Sequence, residues 1–380
     1  LRIREFCWDS WAKWAFERWA VDLPTAIAVD TETTGLGFHD VAFCATLTWR
    51  RPNGDLQSAY IELDDADCRP IAGAGMPPAG DPENRRALLR AILHGTETWV
   101  FWNAKFDLAR LDYLGILPPL DGHIIEDGQP IAALINENRR MKLKVRAVED
   151  LGFVNTIQVQ VQSGPRKGEW DAKAKEEHLL GKLRTKLKLT KEDGYHLIPR
   201  EAMIPYALTD TELTLRWWEK HAPLLPEDLI PVYDEEIEVA HILRKMEGNG
   251  VGIDVPYLTE AEDEWGAKVM TTWQTLVGLI GRDDFNPNSP KQLLAAFKTA
   301  GVTLESTDKA HLRDMVANRA SPKEAVQIAL ALREYRDAEK VHGTYLTSLL
   351  ADQRDSIAHP WLNPVGPRTG RMSSSVATND

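Results

Sequence analysis

The sequence predicts an α/β domain, a mixed sheet flanked by helices, followed by a mainly α-helical region. Three observations carry that expectation. Up to about residue 225, short apolar runs bounded by turns alternate with amphipathic stretches of helical period. After Pro223-Leu224-Leu225-Pro226 the alternation gives way to long helical periodicity. The first clear strand, Ala26-Ile27-Ala28-Val29, runs into Asp30-Thr31-Glu32-Thr33 and a turn at Thr34-Gly35-Leu36-Gly37, so two acids stand where a buried strand ends.

With 380 residues and 43% hydrophobic content, the chain has the length of roughly two or three domains and can bury proper cores. A net charge of -12 excludes a uniformly basic nucleic-acid coat but suits an enzyme that holds metals with carboxylates. Cys7, Cys44 and Cys68 are odd in number and fit no zinc spacing, so no disulfide framework is expected and a reducing cytoplasm is the expected setting. No apolar run approaches the ~18 residues of a membrane span.

In chain order, Trp8, Trp11, Ala15 and Trp19 form the stripe of an amphipathic helix over 6–20. Strands are expected at 25–31, 41–50 and 57–63, a meander with the acidic pair on its first strand. A Pro/Gly/Ala-rich loop over 70–82 leads to a helix at 84–94 and an apolar strand at 99–102. Asn103 and Asp107 then share a helix face, as a functional pair or as an N-cap with a solvated first-turn acid. Residues 139–191 are rich in Lys and Arg, a solvated surface or a mobile insertion able to track phosphates. The helix from Pro199 to His221 puts Tyr206 and Asp210 on one face, with a core aromatic as the plainer reading of Tyr206. Beyond a boundary near 226, helices are expected at 229–249, 256–281, 290–300, 308–318 and 321–350, with Val251 to Asp254 extended and Ser289-Pro290-Lys291-Gln292 a capping box.

Residues two apart in a strand face the same side, so Asp30 and Glu32 aim their carboxylates into one small volume. Their mutual repulsion calls for a cation between them. With acids from two further elements the set could hold two hard cations, Mg²⁺ or Mn²⁺, at the roughly 4 Å separation that suits phosphodiester hydrolysis.

Asp30-Thr31-Glu32-Thr33, Asn103 to Asp107 and Tyr206 to Asp210 resemble the three acidic motifs of the DEDDy 3′-5′ exonucleases, the proofreading domain of family A DNA polymerases. The resemblance implies a ribonuclease H-like fold. It implies that Asp30, Glu32 and Asp210 hold one metal, with Asp30 bridging to a second ion served by Asp107 directly or through water. Tyr206 would orient the attacking water, Leu36 would wedge against the terminal bases, and Asn103 and Phe106 would touch the last nucleotide. Phe285 to Leu293, with Asn288, Ser289 and Lys291, resembles the thumb motif of these polymerases, and Thr369-Gly370-Arg371-Met372-Ser373-Ser374 the segment before the palm, where Arg371 and Ser373 would contact primer-template. Glu236 to Asp254 and Tyr335 to Leu349 resemble thumb helices. The family's Asp-Thr at the next motif is Asp127-Gly128 here.

The resemblance divides the chain into an exonuclease domain over 1–225, a thumb region over 226–362 and the start of a palm over 363–380. The palm's own acidic motifs are missing, so a piece of a longer, phage-type polymerase is expected, without an upstream 5′-nuclease domain. Expected partners are a single-stranded DNA 3′ end and primer-template, bound by a monomer in the cytoplasm of a bacterium or phage-infected host. A stand-alone exoribonuclease of the DEDDy class and a catalytically silent DNA-binding module are the alternatives.

Overall fold

The computed structural model describes residues 24–63, 82–153, 156–160, 170–189, 194–282, 284–364 and 371–375, and the side chains of 156–160 and 170–178 are left undescribed. The aromatic helix expected at 6–20, most of the loop before residue 82, and Thr369-Gly370 lie outside the described residues. Two compact units are present, one formed by residues up to Asn249 together with Pro360 onward, the other by Gly250–His359.

The first unit is built on a five-stranded sheet of order β3-β2-β1-β4-β5. Its strands are β1 (Ala26–Thr33), β2 (Ala42–Arg50), β3 (Leu56–Glu62), β4 (Thr98–Phe101) and β5 (Ile124–Asp127). The first three form the antiparallel meander that their turns predict, while β4 and β5 join parallel to β1, so the sheet is mixed. β1 is therefore central and extends past the expected end at 31 to include both acids. Ile27, Val29, Leu47, Trp99 and Phe101 bury one face together with Leu88, Leu89 and Ile92 of the helix Pro82–Gly95 and Leu108 of the helix Ala104–Tyr113. The ribonuclease H-like, mixed-sheet architecture expected from the motifs is thus present, flanked by helices and followed by a helical region.

Two local expectations change. The basic stretch contains regular structure, a hairpin of Thr156–Gln160 with Trp170–Ala174 and a helix Lys175–Lys186 whose Leu180 is buried beside Phe43 and Met203. The helix Ile230–Asn249, expected to open the thumb, packs with the first unit: Tyr233 is buried beside Ile131 and Trp217, and Ile237 lies against the sheet core. Packing therefore divides the chain after Asn249, whereas the sequence texture changes near 226.

The second unit is helical, with Val255–Ile280 laid along Lys323–Glu339 over a core that includes Leu276, Phe297, Ile328 and Leu332. Its boundaries follow capping chemistry. Asp254 caps the helix that starts with Val255-Pro256, Gly281 ends it in left-handed conformation (φ 72°), and Asp308 accepts from the His311 N–H. Ser289 caps Pro290–Thr299 as expected, but Gln292 closes the box differently, accepting from the Asn286 N–H at 2.8 Å. The helix expected over 321–350 runs from Lys323 and widens into π geometry over Lys340–Thr347.

Candidate active site

β1 outlasts its parallel neighbour: pairing with β4 ends at Ala28↔Val100, while pairing with β2 continues through Asp30↔Thr46 and Glu32↔Cys44. The site therefore forms at the carboxyl end of the parallel strands, where open α/β sheets place ligands. Directly paired residues share a face, so Asp30 and Glu32 lie on the side of Thr46 and Cys44. The helix Arg200–His221 covers that side, tied down by Thr46 Oγ1 donating to the Ala207 carbonyl (3.2 Å) and by the Thr48–Thr211 hydroxyl pair (2.8 Å). Asp210 arrives through this helix. Carboxylate oxygens of Asp30, Glu32 and Asp210 lie within 4.8 Å of one another. Tyr206, one turn earlier, is half-buried with its ring 5.9 Å from that of Tyr195.

Asp107 reaches the same strand from the other side. Its Oδ1 accepts from the Thr31 N–H (2.9 Å) and hydroxyl (2.6 Å), satisfying a backbone group that β4 is too short to pair. At 2% exposure it is not a solvated first-turn acid. Asn103 is no side-chain N-cap either, since it adopts a left-handed conformation (φ 87°) without a capping bond. Asp127 caps instead, accepting from the Asn103 N–H (2.9 Å), the Ala104 N–H (2.7 Å) and the Gln129 N–H (2.9 Å). Gly128 follows it because a Cβ there would lie 2.6 Å from the Trp102 ring.

Burial dominates the electrostatics. It pushes the Asp30 carboxyl up to about 7, opposed by the Lys144 ammonium. Glu32 is raised well above the usual carboxylate range by burial, then by Asp30, with Lys144 opposing. Burial and then Asp30 raise Asp107 too, against the two bonds from Thr31. Lys144 itself, second residue of the helix Leu143–Leu151, ion-pairs with Asp210 and lies 5.1 Å from the Tyr206 ring centre. Lys144 is not singled out by the sequence, being one of many basic residues in its stretch, and Asp127 stands out there only by its resemblance to the family's Asp-Thr, since its capping role arises when two helix starts meet it.

Leu36 is 39% exposed on the loop after β1. That loop is clasped by Asp40, which accepts from the Thr34 hydroxyl (2.9 Å) and the Gly37 N–H (2.7 Å). Arg110 holds it to the helix Ala104–Tyr113, donating to the carbonyls of Phe38 (2.8 Å) and Asp40 (2.9 Å), with its guanidinium 4.7 Å from the Phe106 ring centre. On the neighbouring surface Phe106 also meets Trp361, at 5.8 Å between ring centres, and the Lys105 ammonium sits 3.5 Å from the centre of that indole. Trp361–Asn363 pairs with Ser373–Ser375, leaving Arg371 and Ser373 exposed. Of the remaining expected contacts, Asn288 is exposed and donates to Glu339 (2.9 Å), Ser289 is the helix cap, and Lys291 is exposed, all within the second unit.

The carboxylate donor set and its hard-oxygen chemistry fit divalent metal ions, and the Lys144 ammonium among those oxygens marks where positive charge is wanted. A ribonuclease H-like sheet with acids gathered at the end of its central strand defines an exonuclease-type domain. The family model described as 3′-5′ exonuclease, that of the family A DNA polymerases, matches residues 15–225, and the chain belongs to this family. It is 35% identical over 156 residues to DNA polymerase I of Helicobacter pylori, which covers 40% of this chain and 16% of that protein. It is 26% identical over 370 residues to the DNA polymerase of Mycobacterium phage D29, covering 91% of this chain and 54% of the phage protein. The POL domain of Pol1 from M. smegmatis, solved in complex with DNA primer-template and dNTP, shares the fold with a TM-score of 0.56 at 20% identity, over 97% of this chain and 54% of that one. The chain thus spans about half the length, 54%, of the phage relative and a smaller part, 16%, of the bacterial one. Among the described residues, no helix is long and apolar enough to cross a membrane.

Proposed function

We propose that this chain is the proofreading portion of a family A DNA polymerase, removing 3′-terminal nucleotides from DNA by two-metal phosphodiester hydrolysis. Residues 1–225 form the exonuclease domain, 226–362 the DNA-binding thumb region and 363–380 the start of the palm. The observation that carries the reading is the gathering of Asp30, Glu32 and Asp210 within 4.8 Å, with buried Asp107 on the next residue of the same strand.

Asp30, Glu32, Asp210 and Asp107 hold the Mg²⁺ or Mn²⁺ ions. Bound there, such ions supply Lewis-acid activation of water and stabilisation of the leaving oxygen. The protein's own groups do the rest. The Tyr206 hydroxyl, one helical turn from Asp210, orients the attacking water. Leu36, on a loop fixed by Arg110 and Asp40, separates the terminal base from its neighbour, and Phe106 and Asn103 contact the last nucleotide. Asn288, Ser289 and Lys291 of the thumb, with Arg371 and Ser373, contact primer-template. This work is expected on replicating DNA in the cytoplasm of a bacterium or an infected host.

Asp30→Ala combined with Glu32→Ala is expected to abolish Mg²⁺-dependent shortening of a 5′-labelled single-stranded DNA while the circular dichroism spectrum is retained. Undiminished shortening by the purified double variant would refute the site. A matched RNA oligomer degraded faster than DNA by the unaltered chain would favour the exoribonuclease reading instead.

A further inference from the structure

Within the basic stretch from Arg139 to Arg146, the ion pairs of Arg139, Lys144 and Arg146 go to different places. Arg139 and Arg146 both ion-pair with Asp150, at 2.8 and 2.9 Å, and so stay on their own segment. Lys144 turns away from it and ion-pairs with Asp210, its side chain 13% exposed and that of Asp210 15%. The position is a costly one for a cation. Lys144 lies in the first turn of its helix, where the unpaired N–H groups present the positive end of the dipole and favour acids. What offsets this is the negative charge of the site: the ammonium is close enough to act on Asp30 and Glu32 as well as on Asp210.

A single-charged ammonium and a divalent ion compete for the same carboxylate lone pairs, and repel each other if both are at contact. A lysine is suited to yield. Its charge is a compact, strongly hydrated point on a flexible four-carbon stem, whereas an arginine would grip a carboxylate through two parallel bonds. The face of Tyr206, 5.1 Å from the ammonium, gives the side chain a second place to rest near the site.

We propose that Lys144 is a tethered counter-cation of the carboxylate site, a specificity-determining residue that must leave Asp210 before divalent ions are held and that so sets the metal concentration at which the site fills. This rests on reading the site as a metal centre. Without metal, Lys144 neutralises part of the repulsion among Asp30, Glu32 and Asp210 and keeps the three carboxylates gathered. With metal, it is displaced from Asp210.

The test uses the whole chain without DNA. In calorimetric Mn²⁺ titrations, Lys144→Met is expected to bind about tenfold or more tightly than the unaltered chain, because no tethered cation has to be displaced. Lys144→Arg is expected to bind more weakly than the unaltered chain. Equal dissociation constants for the Met variant and the unaltered chain overturn the proposal. A second measurement needs no variant: acetylation of lysines, read by mass spectrometry, should find Lys144 protected in EDTA and more reactive with saturating Mn²⁺, while exposed Lys142 is labelled equally in both. Lys144 labelling that does not change when Mn²⁺ is bound also overturns the proposal. Absence of Mn²⁺ binding in both the unaltered chain and Lys144→Met would refute the metal-centre reading itself, which separates the two failures.

Discussion

In the first unit the buried side chains include Glu32, Lys105, Asp107, Arg110, Arg146 and Glu247, whereas in the second, among the described residues, no charged side chain is buried. The second unit is held by apolar contacts around Leu276, Phe297, Ile328 and Leu332, and its charges stay at the surface in exposed pairs such as Arg282–Asp284. Burying charge opposes folding unless each group finds a partner. The first unit accepts that cost where carboxylates must converge and where loops must be held near them. In the second, among the described residues, acids and cations meet in exposed pairs such as Arg313–Asp314 instead of converging in the interior. Charge in the first unit is thus sensitive to single substitutions and to pH, and charge in the second is tolerant.

The largest stability effect should come from the Lys105–Glu247 pair, whose side chains are 3% and 6% exposed. Lys105→Met removes the ammonium from the buried Glu247 carboxylate, which also accepts from the Leu362 N–H, and is expected to cost about 3–5 kcal/mol in urea unfolding. A loss of less than about 1 kcal/mol would break the contrast between the units. Tyr206→Phe should leave the fold intact and slow single-nucleotide removal about 10²-fold, read as kcat at saturating DNA. A rate equal to that of the unaltered chain would take the water-orienting role away from the hydroxyl.

The pH dependence follows from the raised carboxyls. Folded Asp30 keeps its proton up to about 7, while the unfolded chain loses it near 3.8. The folded state therefore binds more protons in that window, and metal-free stability falls as pH rises from about 4 to about 7. Ions that require the ionised form should reverse the loss, so Mg²⁺ is expected to raise the melting temperature more at pH 8 than at pH 5. An equal rise at both values would mean that the carboxylates do not take up the ion. The smallest stability effect is expected at exposed Lys291 of the second unit. Lys291→Ala should change stability by less than about 0.5 kcal/mol, yet weaken primer-template binding and flatten its salt dependence in fluorescence titrations.

Sequence and tertiary structure divided the site between them. The strand period alone placed Asp30 and Glu32 on one face, and the helical period placed Tyr206 and Asp210 on another, because both spacings are local properties of the backbone. The cap at Ser289, unlike those at Asp254 and Asp308, which emerge only in the structure, was likewise legible as a short polar side chain just before a helical stretch. What depended on distant partners was not. Asp107 is a buried acid rather than a solvated one only because β4 stops short and leaves the Thr31 N–H to it. The helix Ile230–Asn249 sits with the first unit because Tyr233 donates to Glu126 and accepts from the Asp127 N–H. Lys144 looked like its basic neighbours until the fold brought Asp210, 66 positions along the chain, to its ammonium. Spacing determines which residues share a face, and only packing decides which faces meet.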